Sequence, residues 1–154
     1  MEIKIRRASA EDLNHILHHR VAMFEEMGFS DDVVLRRVEA ISREYFTEAL
    51  QAGTYVGWLA IDADGQVVGG GGIVIAAWPG FPGETHAKRA WILNMYTELA
   101  ARHCGVARRL MQAMIAWCQS EGYRSVSLHA SEAGRTLYET MGFQASNEMR
   151  LRLK

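Results

Sequence analysis

The segment between residues 102 and 109 combines three arginines with a glycine: Arg102-His103-Cys104-Gly105-Val106-Ala107-Arg108-Arg109. From its middle onward, apolar residues recur every four positions, at Val106, Leu110, Met114 and Cys118. This pattern predicts an amphipathic helix that begins here. The N-terminus of a helix offers free N–H groups and a partial positive charge, so it binds phosphate groups readily. By spacing alone, a phosphate site and an ordinary glycine-containing helix start are both open interpretations.

A run of four glycines, Gly69 to Gly72, invites comparison with phosphate-binding loops. The residues that follow, Ile73-Val74-Ile75, continue a strand, and no helix comes next to offer its N-terminus. The chain also lacks the G-x-x-x-x-G-K-[ST] motif, which excludes a P-loop nucleoside triphosphatase. We therefore interpret the glycines as a strand that permits close backbone approach or a bulge.

The composition is that of an ordinary globular protein with one domain, here residues 1–154, because 49% of the residues are hydrophobic and 23% are charged. A net charge of −1 argues against a nucleic-acid partner, since phosphate neutralisation requires a basic excess. With no signal peptide and no apolar run of bilayer length, we expect a cytoplasmic protein without a membrane partner. The two cysteines lack metal-ligand spacing, so no metal site is predicted.

Hydrophobic periodicity predicts the element order β-α-α-β-β-β-α-β-α-β, which is typical of a mixed α/β (α+β) fold. The first strand contains Ile3 and Ile5. Helices are predicted over residues 9–28, 30–53, 105–121 and 131–141, and further strands over 54–61, 66–76, 90–97, 125–129 and 148–153. Helices from both halves of the chain are expected to cover the faces of one sheet.

Two motifs on these elements resemble those of the GCN5-related N-acetyltransferases, the GNAT family. Arg102-x-x-Gly105-x-Ala107, after a strand that ends Leu93-Asn94-Met95-Tyr96-Thr97, is similar to the family's acetyl-CoA signature Q/R-x-x-G-x-G/A. Leu137-Tyr138-x-x-x-Gly142-Phe143 resembles the second motif, L-Y-x-x-x-G-F. The resemblance implies one N-acetyltransferase domain with a mixed, mostly antiparallel sheet of about six to seven strands and helices on both faces.

The resemblance also implies roles for individual residues, with acetyl-CoA as cosubstrate and no metal. The strand edge at Met95, Tyr96 and Thr97 would hold the pantetheine arm where two strands splay apart, and N–H groups near Met95 and Tyr96 would stabilise the oxyanion. The N–H groups of Arg102, His103, Cys104, Gly105, Val106 and Ala107 would hold the pyrophosphate. Ser131 and Arg135 would add cofactor contacts, and Tyr138 would protonate the departing thiolate. A core tyrosine with a satisfied hydroxyl is the alternative for Tyr138.

The sequence departs from the family pattern at two places. Ser131 stands where many members have an asparagine that contacts the cofactor, and serine is a good helix N-cap. No carboxylate lies between residues 90 and 97, where some members carry a glutamate base. The base is therefore open: His129 is one candidate, because an imidazole can exchange a proton near neutral pH, and an ordinary sheet-edge histidine is the alternative for it. Glu98, Glu25 or Glu26, acting through water, are further candidates.

The expected acceptor is a primary amine on a small molecule or peptide, bound near the two-helix segment and the loop of residues 78–83. Apolar side chains there could form the pocket wall: Met23, Phe24, Met27, Phe29, Trp78 and Phe81. Core packing or a homodimer contact explains them equally well at this point. A non-catalytic acyl-CoA-binding module of the same fold is the alternative function.

Overall fold

The computed structural model describes residues 1–154. One sheet contains β1 (Lys4–Arg7), β2 (Tyr55–Ile61), β3 (Val67–Ala77), β4 (Lys88–Thr97) and β5 (Ser127–Leu128), side by side in that order. The helices are α1 (Leu13–Glu26), α2 (Asp32–Ala52), α3 (Val106–Ser120) and α4 (Glu132–Thr140). Neighbouring strands from β1 to β4 are antiparallel, and β4 and β5 are parallel. The predicted mixed α+β fold is confirmed.

The C-terminal end of the chain differs from the prediction. The sheet has five strands rather than six to seven, and the predicted strand over 148–153 lies outside it. Met149, Leu151 and Leu153 alternate with charged residues as a strand would, yet they are 94%, 82% and 87% exposed. Alternation of apolar and charged residues indicates a segment with one apolar face. It does not indicate which strand or surface that face packs against.

Local signals account for the helix boundaries. The Asp12 carboxylate accepts a hydrogen bond from the Ser9 N–H (2.8 Å), as predicted for a capping box. Arg6 of β1 donates to both oxygens of the same carboxylate at 2.8 Å, and Ala10–Asp12 form a 3-10 turn, so α1 begins only at Leu13. The Asp31 side chain caps α2, which ends at Gly53 in the left-handed conformation (φ 73°).

Two hydrophobic cores lie on opposite faces of the sheet. The larger core packs α3 against the central strands and includes Leu110, Met111 and Met114, each 0% exposed. Tyr138 of α4 also belongs to this core. The smaller core packs α1 and α2 around Phe46 and Tyr55. Alternate side chains of β4 therefore point into the larger and the smaller core, and the strand is packed on both faces.

The four glycines lie in the middle of β3 and make room for large side chains. A Cβ atom on Gly71 would lie 2.4 Å from the Met95 sulfur, and one on Gly72 would lie 2.2 Å from the Tyr55 ring. The register between β3 and β4 also shifts between Gly70 and Gly72. The glycines thus make room for close neighbours, which at Gly69 include the Tyr96 carbonyl oxygen and at Gly71 and Gly72 are side chains, while the bulge itself lies in the neighbouring strand β4 and not in the glycine run.

Replacing Gly72 by alanine should lower the free energy of unfolding by about 2 kcal/mol, because overpacked cores usually lose 1–3 kcal/mol. Tyr55 is 2% exposed, its ring packs edge-on against Phe46 and its hydroxyl accepts a hydrogen bond from Asn94, so a shift of the ring would disturb both contacts. The matched control is Gly80→Ala, in a loop where a Cβ atom would have no neighbour within 4 Å. Urea denaturation of both variants measures the effect, and equal midpoints would contradict the packing assigned to β3.

Candidate active site

β4 and β5 run together for only two residue pairs, Trp91 with Ser127 and Ile92 with Leu128. β4 then continues to Thr97, whereas β5 ends at Leu128. The β5-facing edge of residues 93–97 therefore has no neighbouring strand. An edge of this kind can pair with an extended ligand through backbone hydrogen bonds. Met95, Tyr96 and Thr97, the predicted pantetheine contacts, lie on this stretch and are half-buried.

A bulge in β4 lies at the point where the two strands separate. Asn94 and Met95 together face the single residue Gly71, because the flanking pairs are Gly70 with Tyr96 and Gly72 with Leu93. Asn94 has a φ of 60°, an uncommon conformation for a residue other than glycine. A bulge redirects the local backbone and is frequent beside active sites. The bulge thus sets the direction of the backbone at the predicted oxyanion site.

Hydrogen bonds hold the Asn94 side chain in this conformation. Its Nδ2 donates to the Tyr55 hydroxyl (3.2 Å), and Arg20 Nη1 donates to its Oδ1 (2.7 Å). Arg20 Nε also donates to the Ser42 hydroxyl (3.1 Å). Because Asn94 is 2% exposed, this network satisfies a polar group that would otherwise be costly to bury. The α1–α2 layer therefore fixes the bulge.

The turn before α3 presents unpaired backbone donors. The N–H groups of residues 103–108 donate to no backbone or side-chain acceptor, and the first bond of the helix runs from Arg109 N to Gly105 O (3.1 Å). His103 (φ 60°) and Gly105 (φ 78°) are both left-handed, which shapes the turn. Converging unpaired N–H groups at the positive end of a helix bind anions.

The residues of this turn contribute mainly through their backbone. His103, Cys104 and Gly105 are exposed, and Ala107 is half-buried. The Val106 side chain is 2% exposed within the larger core, so it anchors the turn to the sheet. The free Cys104 thiol has no disulfide partner.

Arg102 differs from the predicted arrangement. Its N–H donates to Leu99 O (3.3 Å), so the run of free donors begins at His103 and extends to Arg108 rather than from 102 to 107. Its Nε donates to Thr97 O (2.9 Å), and its Nη2 forms an ion pair with Glu26. The arginine of the motif thus ties the end of β4 to α1, which fixes the turn instead of pointing into it.

Tyr138 folds back over the preceding turn of α4. A Cβ atom on Gly134 would lie 2.7 Å from its ring, so only glycine leaves room for this rotamer. Tyr138 is 8% exposed, and burial raises the pKa of its phenol. The hydroxyl has no hydrogen-bond partner in the protein and is not a fully buried atom, so it can meet a ligand. The ring therefore packs as a core tyrosine does, while the hydroxyl is left to bind water or a ligand.

His129 follows β5 and is partly engaged. Its Nε2 lies 3.0 Å from Glu148 Oε1, and its ring stacks on Trp91 with a centroid distance of 5.2 Å. The imidazole is still about 60% exposed. Glu148 and Trp91 therefore orient the imidazole, and much of the ring stays open to solvent.

The other predicted residues of α4 have structural partners. The Ser131 hydroxyl accepts a hydrogen bond from Gly134 N (3.1 Å) and so caps the helix. Arg135 lies 3.8 Å from Glu139, one turn further on, and is largely exposed. Ser131 therefore acts as the N-cap that the sequence predicted, and Arg135 has only a long, exposed ion pair, of a kind that contributes little to stability.

The remaining base candidates lie elsewhere. Glu98 binds His18 Nε2 (2.7 Å) and accepts from the Tyr96 hydroxyl (3.4 Å), at the end of β4 nearest the α3 turn. Glu26 is paired with Arg102. His19, which was not among the candidates predicted from the sequence, is 2% exposed beside Tyr96, and burial lowers its pKa to about 4.

A cavity of about 910 Å³ brings Tyr138, His129 and Arg135 together between β5, α4 and the C-terminal segment. Residues 95–97, the α3 turn and Ser131 are not among its walls. Trp78 of the predicted acceptor loop does line it. Phe29, in contrast, packs edge-on against Phe24 and stays half exposed, away from this cavity.

Two contributors were not identified from the sequence. Gly134 shapes the Tyr138 site; a glycine inside a predicted helix, four residues before the tyrosine, was an available signal because helix interiors disfavour glycine. Arg89 also lines the cavity, but its role depends on contacts between distant segments. The structure contains no helix long and apolar enough to cross a membrane, and no cluster of His, Cys, Asp or Glu suited to a metal ion.

Solved structures with the same fold extend over the whole chain. A GCN5-related N-acetyltransferase from Ralstonia eutropha JMP134 is 31% identical, with a TM-score of 0.91 and 99% of both chains covered. A predicted acetyltransferase from Clostridium acetobutylicum, crystallised with acetyl-CoA, is 23% identical, with a TM-score of 0.87 over 99% of this chain and 96% of that one.

A more distant neighbour is AAC(6')-Iy bound to a CoA bisubstrate analogue of acetylneamine; it is 21% identical, with a TM-score of 0.73, and 100% of this chain and 99% of that one are covered. No curated protein sequence matches this chain. The model of the acetyltransferase (GNAT) family matches residues 13–143, which span the splayed strands, the α3 turn and Tyr138. The chain therefore belongs to the GCN5-related N-acetyltransferase family.

Proposed function

We propose that the protein is an acetyl-CoA-dependent N-acetyltransferase that acts on a primary amine of a small molecule or peptide. The observation that carries this proposal is the turn of unpaired N–H groups at residues 103–108, directly after the open edge of β4. An elongated ligand with phosphates at one end and an amide chain at the other matches this arrangement. Acetyl-CoA has that form.

The reaction is a direct transfer in a ternary complex. The amine nitrogen forms a bond to the thioester carbonyl carbon, and the carbon–sulfur bond then breaks. N–H groups near Met95 and Tyr96, beside the Asn94 bulge, stabilise the carbonyl oxygen as negative charge develops on it. His129, held by Glu148, accepts the proton from the amine, and Tyr138 donates its proton to the departing thiolate. No covalent enzyme intermediate and no metal are required.

The Tyr138 phenol is protonated at neutral pH, so it has a proton to donate, but burial raises its pKa and makes it a weaker acid. Transfer to a thiolate with a pKa of about 8.5 is uphill for a phenol of about 10 unless the two are well positioned. The close fit of the ring over Gly134 supplies that positioning. We further propose a cytoplasmic enzyme of one domain, with neither nucleic acid nor membrane as partner.

We also propose a homodimer formed by the C-terminal segment. Residues 148–153 have strand alternation without a neighbour, and the outer edge of β5 is open. Met149, Leu151 and Leu153 are exposed on each copy, and a two-fold contact between two such segments would bury them while Glu148 stays beside His129 of its own chain. Sedimentation should show a dimer for the full chain and a monomer for the triple variant Met149→Ser, Leu151→Ser, Leu153→Ser. A full chain that sediments as a monomer at micromolar concentration would reject this contact.

The enzymatic proposal is tested by thiol release from acetyl-CoA with separate pools of polyamines, aminoglycosides, amino acids and short peptides. Release that depends on an amine supports the transferase, and subdivision of the active pool identifies the acceptor. Tight acetyl-CoA binding without release from any pool would support the non-catalytic acyl-CoA-binding module instead.

A further inference from the structure

Arg89 of β4 lies among aromatic rings on a wall of the 910 Å³ cavity. Its Cζ atom is 4.7 Å from the Trp78 ring centroid, 4.9 Å from that of Trp91 and 5.3 Å from that of Phe81. Aromatic faces attract a guanidinium group and hold its plane in a defined orientation. The predicted acceptor loop, residues 78–83, therefore supplies two of the three rings that position this cation.

Arg89 has no counter-ion. The cavity contains two carboxylates, and both are engaged: Glu148 with His129 (3.0 Å) and Glu139 with Arg135 (3.8 Å). The only hydrogen bond of the Arg89 side chain is a long one from Nη2 to the Ser127 hydroxyl (3.4 Å). Most of its donors are thus unused, in a half-buried position that opens to the cavity. A cation in this state favours an anionic ligand.

This cation lies too far from the α3 turn to serve the cofactor phosphates. Arg89 is at the beginning of β4 and Thr97 at its end, which separates them by about 26 Å in an extended strand. Between them lies the bulge at which the thioester is proposed to react. Arg89 therefore lies on the acceptor side of the reaction, in the same cavity as Tyr138 and His129.

Hydrogen bonds hold the loop that carries Trp78 and Phe81, two of the three rings around Arg89, against the rest of the domain. Trp78 N donates to Ala87 O (2.9 Å), which closes the loop at its base. The Glu84 carboxylate accepts hydrogen bonds from the N–H of Ser125 (2.9 Å) and its hydroxyl (2.9 Å), so the loop is tied to the approach to β5. A rigid site loses less conformational entropy when it binds a ligand.

We propose that Arg89 binds a carboxylate of the acceptor, so that the substrates of this enzyme are amines that also carry a carboxylate group. The proposal rests on the proposed acetyl transfer and specifies its substrate class. One guanidinium balances the single charge of a carboxylate and matches its two oxygens. A phosphate dianion carries twice this charge, and Arg135 and Arg150 also line the cavity, so the phosphoethanolamine arm of the test separates the two anions.

Matched acceptors test the proposal. Wild-type protein is assayed with ω-amino acids of increasing chain length and with the amide of each, which scans the distance between amine and carboxylate. We expect kcat/KM at the best chain length to be at least tenfold higher for the acid than for its amide. Arg89→Gln should lower kcat/KM for the acid about tenfold. It should leave kcat/KM for the amide and the KM for acetyl-CoA unchanged. Arg89→Lys keeps the positive charge but loses the paired N–H donors of the guanidinium, so it should recover part of the lost kcat/KM for the acid.

Arg124→Gln is the control, because it removes the same charge from an exposed position outside the cavity. Equal rates for acids and amides, or a better rate with phosphoethanolamine than with any amino acid, would overturn the carboxylate assignment while leaving the transferase intact. Equal losses for acid and amide in Arg89→Gln would show a merely structural role. If wild-type protein acetylates no amine at all, the proposed function fails and the inference fails with it.

Discussion

Replacing Ala107 by glutamate should weaken acetyl-CoA binding about 100-fold without destabilising the fold. The new carboxylate would lie within the first turn of α3, among the unpaired N–H groups of residues 103–108. At about 5 Å from a bound pyrophosphate, its repulsion amounts to about 3 kcal/mol in the partly screened surroundings of a protein surface. The same carboxylate at a helix N-terminus stabilises the helix itself. Titration calorimetry measures the affinity, and thermal unfolding measures the stability.

Gln112→Glu provides the matched control for this variant. It adds the same charge to the same helix, at an exposed position more than one turn beyond the N-terminus. We expect its acetyl-CoA affinity to stay within about twofold of the wild type, because the distance and the solvent reduce the repulsion. Equal affinities for Ala107→Glu and the wild type would show that the pyrophosphate binds elsewhere.

Tyr138→Phe should lower kcat by about 10–100-fold, at or below the usual contribution of a general acid. The ring fits over Gly134 with or without its hydroxyl, so packing is preserved and only the proton donor is lost. The KM for acetyl-CoA should not change. Steady-state kinetics with the identified amine provides the measurement.

Tyr123→Phe is the control for the phenol. Tyr123 is also partly buried, its pKa is likewise raised by burial, and it stacks on Trp117 rather than on the cavity wall. This variant should keep the wild-type kcat. An unchanged kcat in Tyr138→Phe would remove Tyr138 from the acid role, and the thiolate would then be protonated by water.

Local patterns in the sequence determined most of the fold. Helix ends at Asp31 and Gly53 and the four-residue apolar repeat of α3 depend on near neighbours in the chain, so they are readable without a structure. The glycine run was also interpretable, because a strand continued on both sides of it. The strand over 148–153 could not be placed, since pairing depends on a distant edge and not on the alternation itself.

The sequence predicted those parts of the site that neighbouring residues form. It did not predict the parts that depend on contacts between distant segments. The α3 turn follows from one glycine before an amphipathic helix, and the position of Tyr138 follows from its motif. The ion pair between Glu26 on α1 and Arg102 after β4 joins residues far apart in the chain, so sequence spacing could not predict it. The three rings around Arg89 likewise come from a loop, which supplies Trp78 and Phe81, and from β4, which supplies Trp91 and Arg89 itself.

Transfer of an isotopically labelled acetyl group tests the central claim most directly. The protein is incubated with acetyl-CoA that carries carbon-13 in both acetyl carbons, together with a mixed amine pool, and the amines are analysed by mass spectrometry. We expect one amine class to gain the labelled acetyl group, with a matching amount of free CoA thiol. Thiol release without any labelled amine would identify a thioesterase. The absence of both free thiol and labelled amine would identify a binding module. Either result would contradict an N-acetyltransferase.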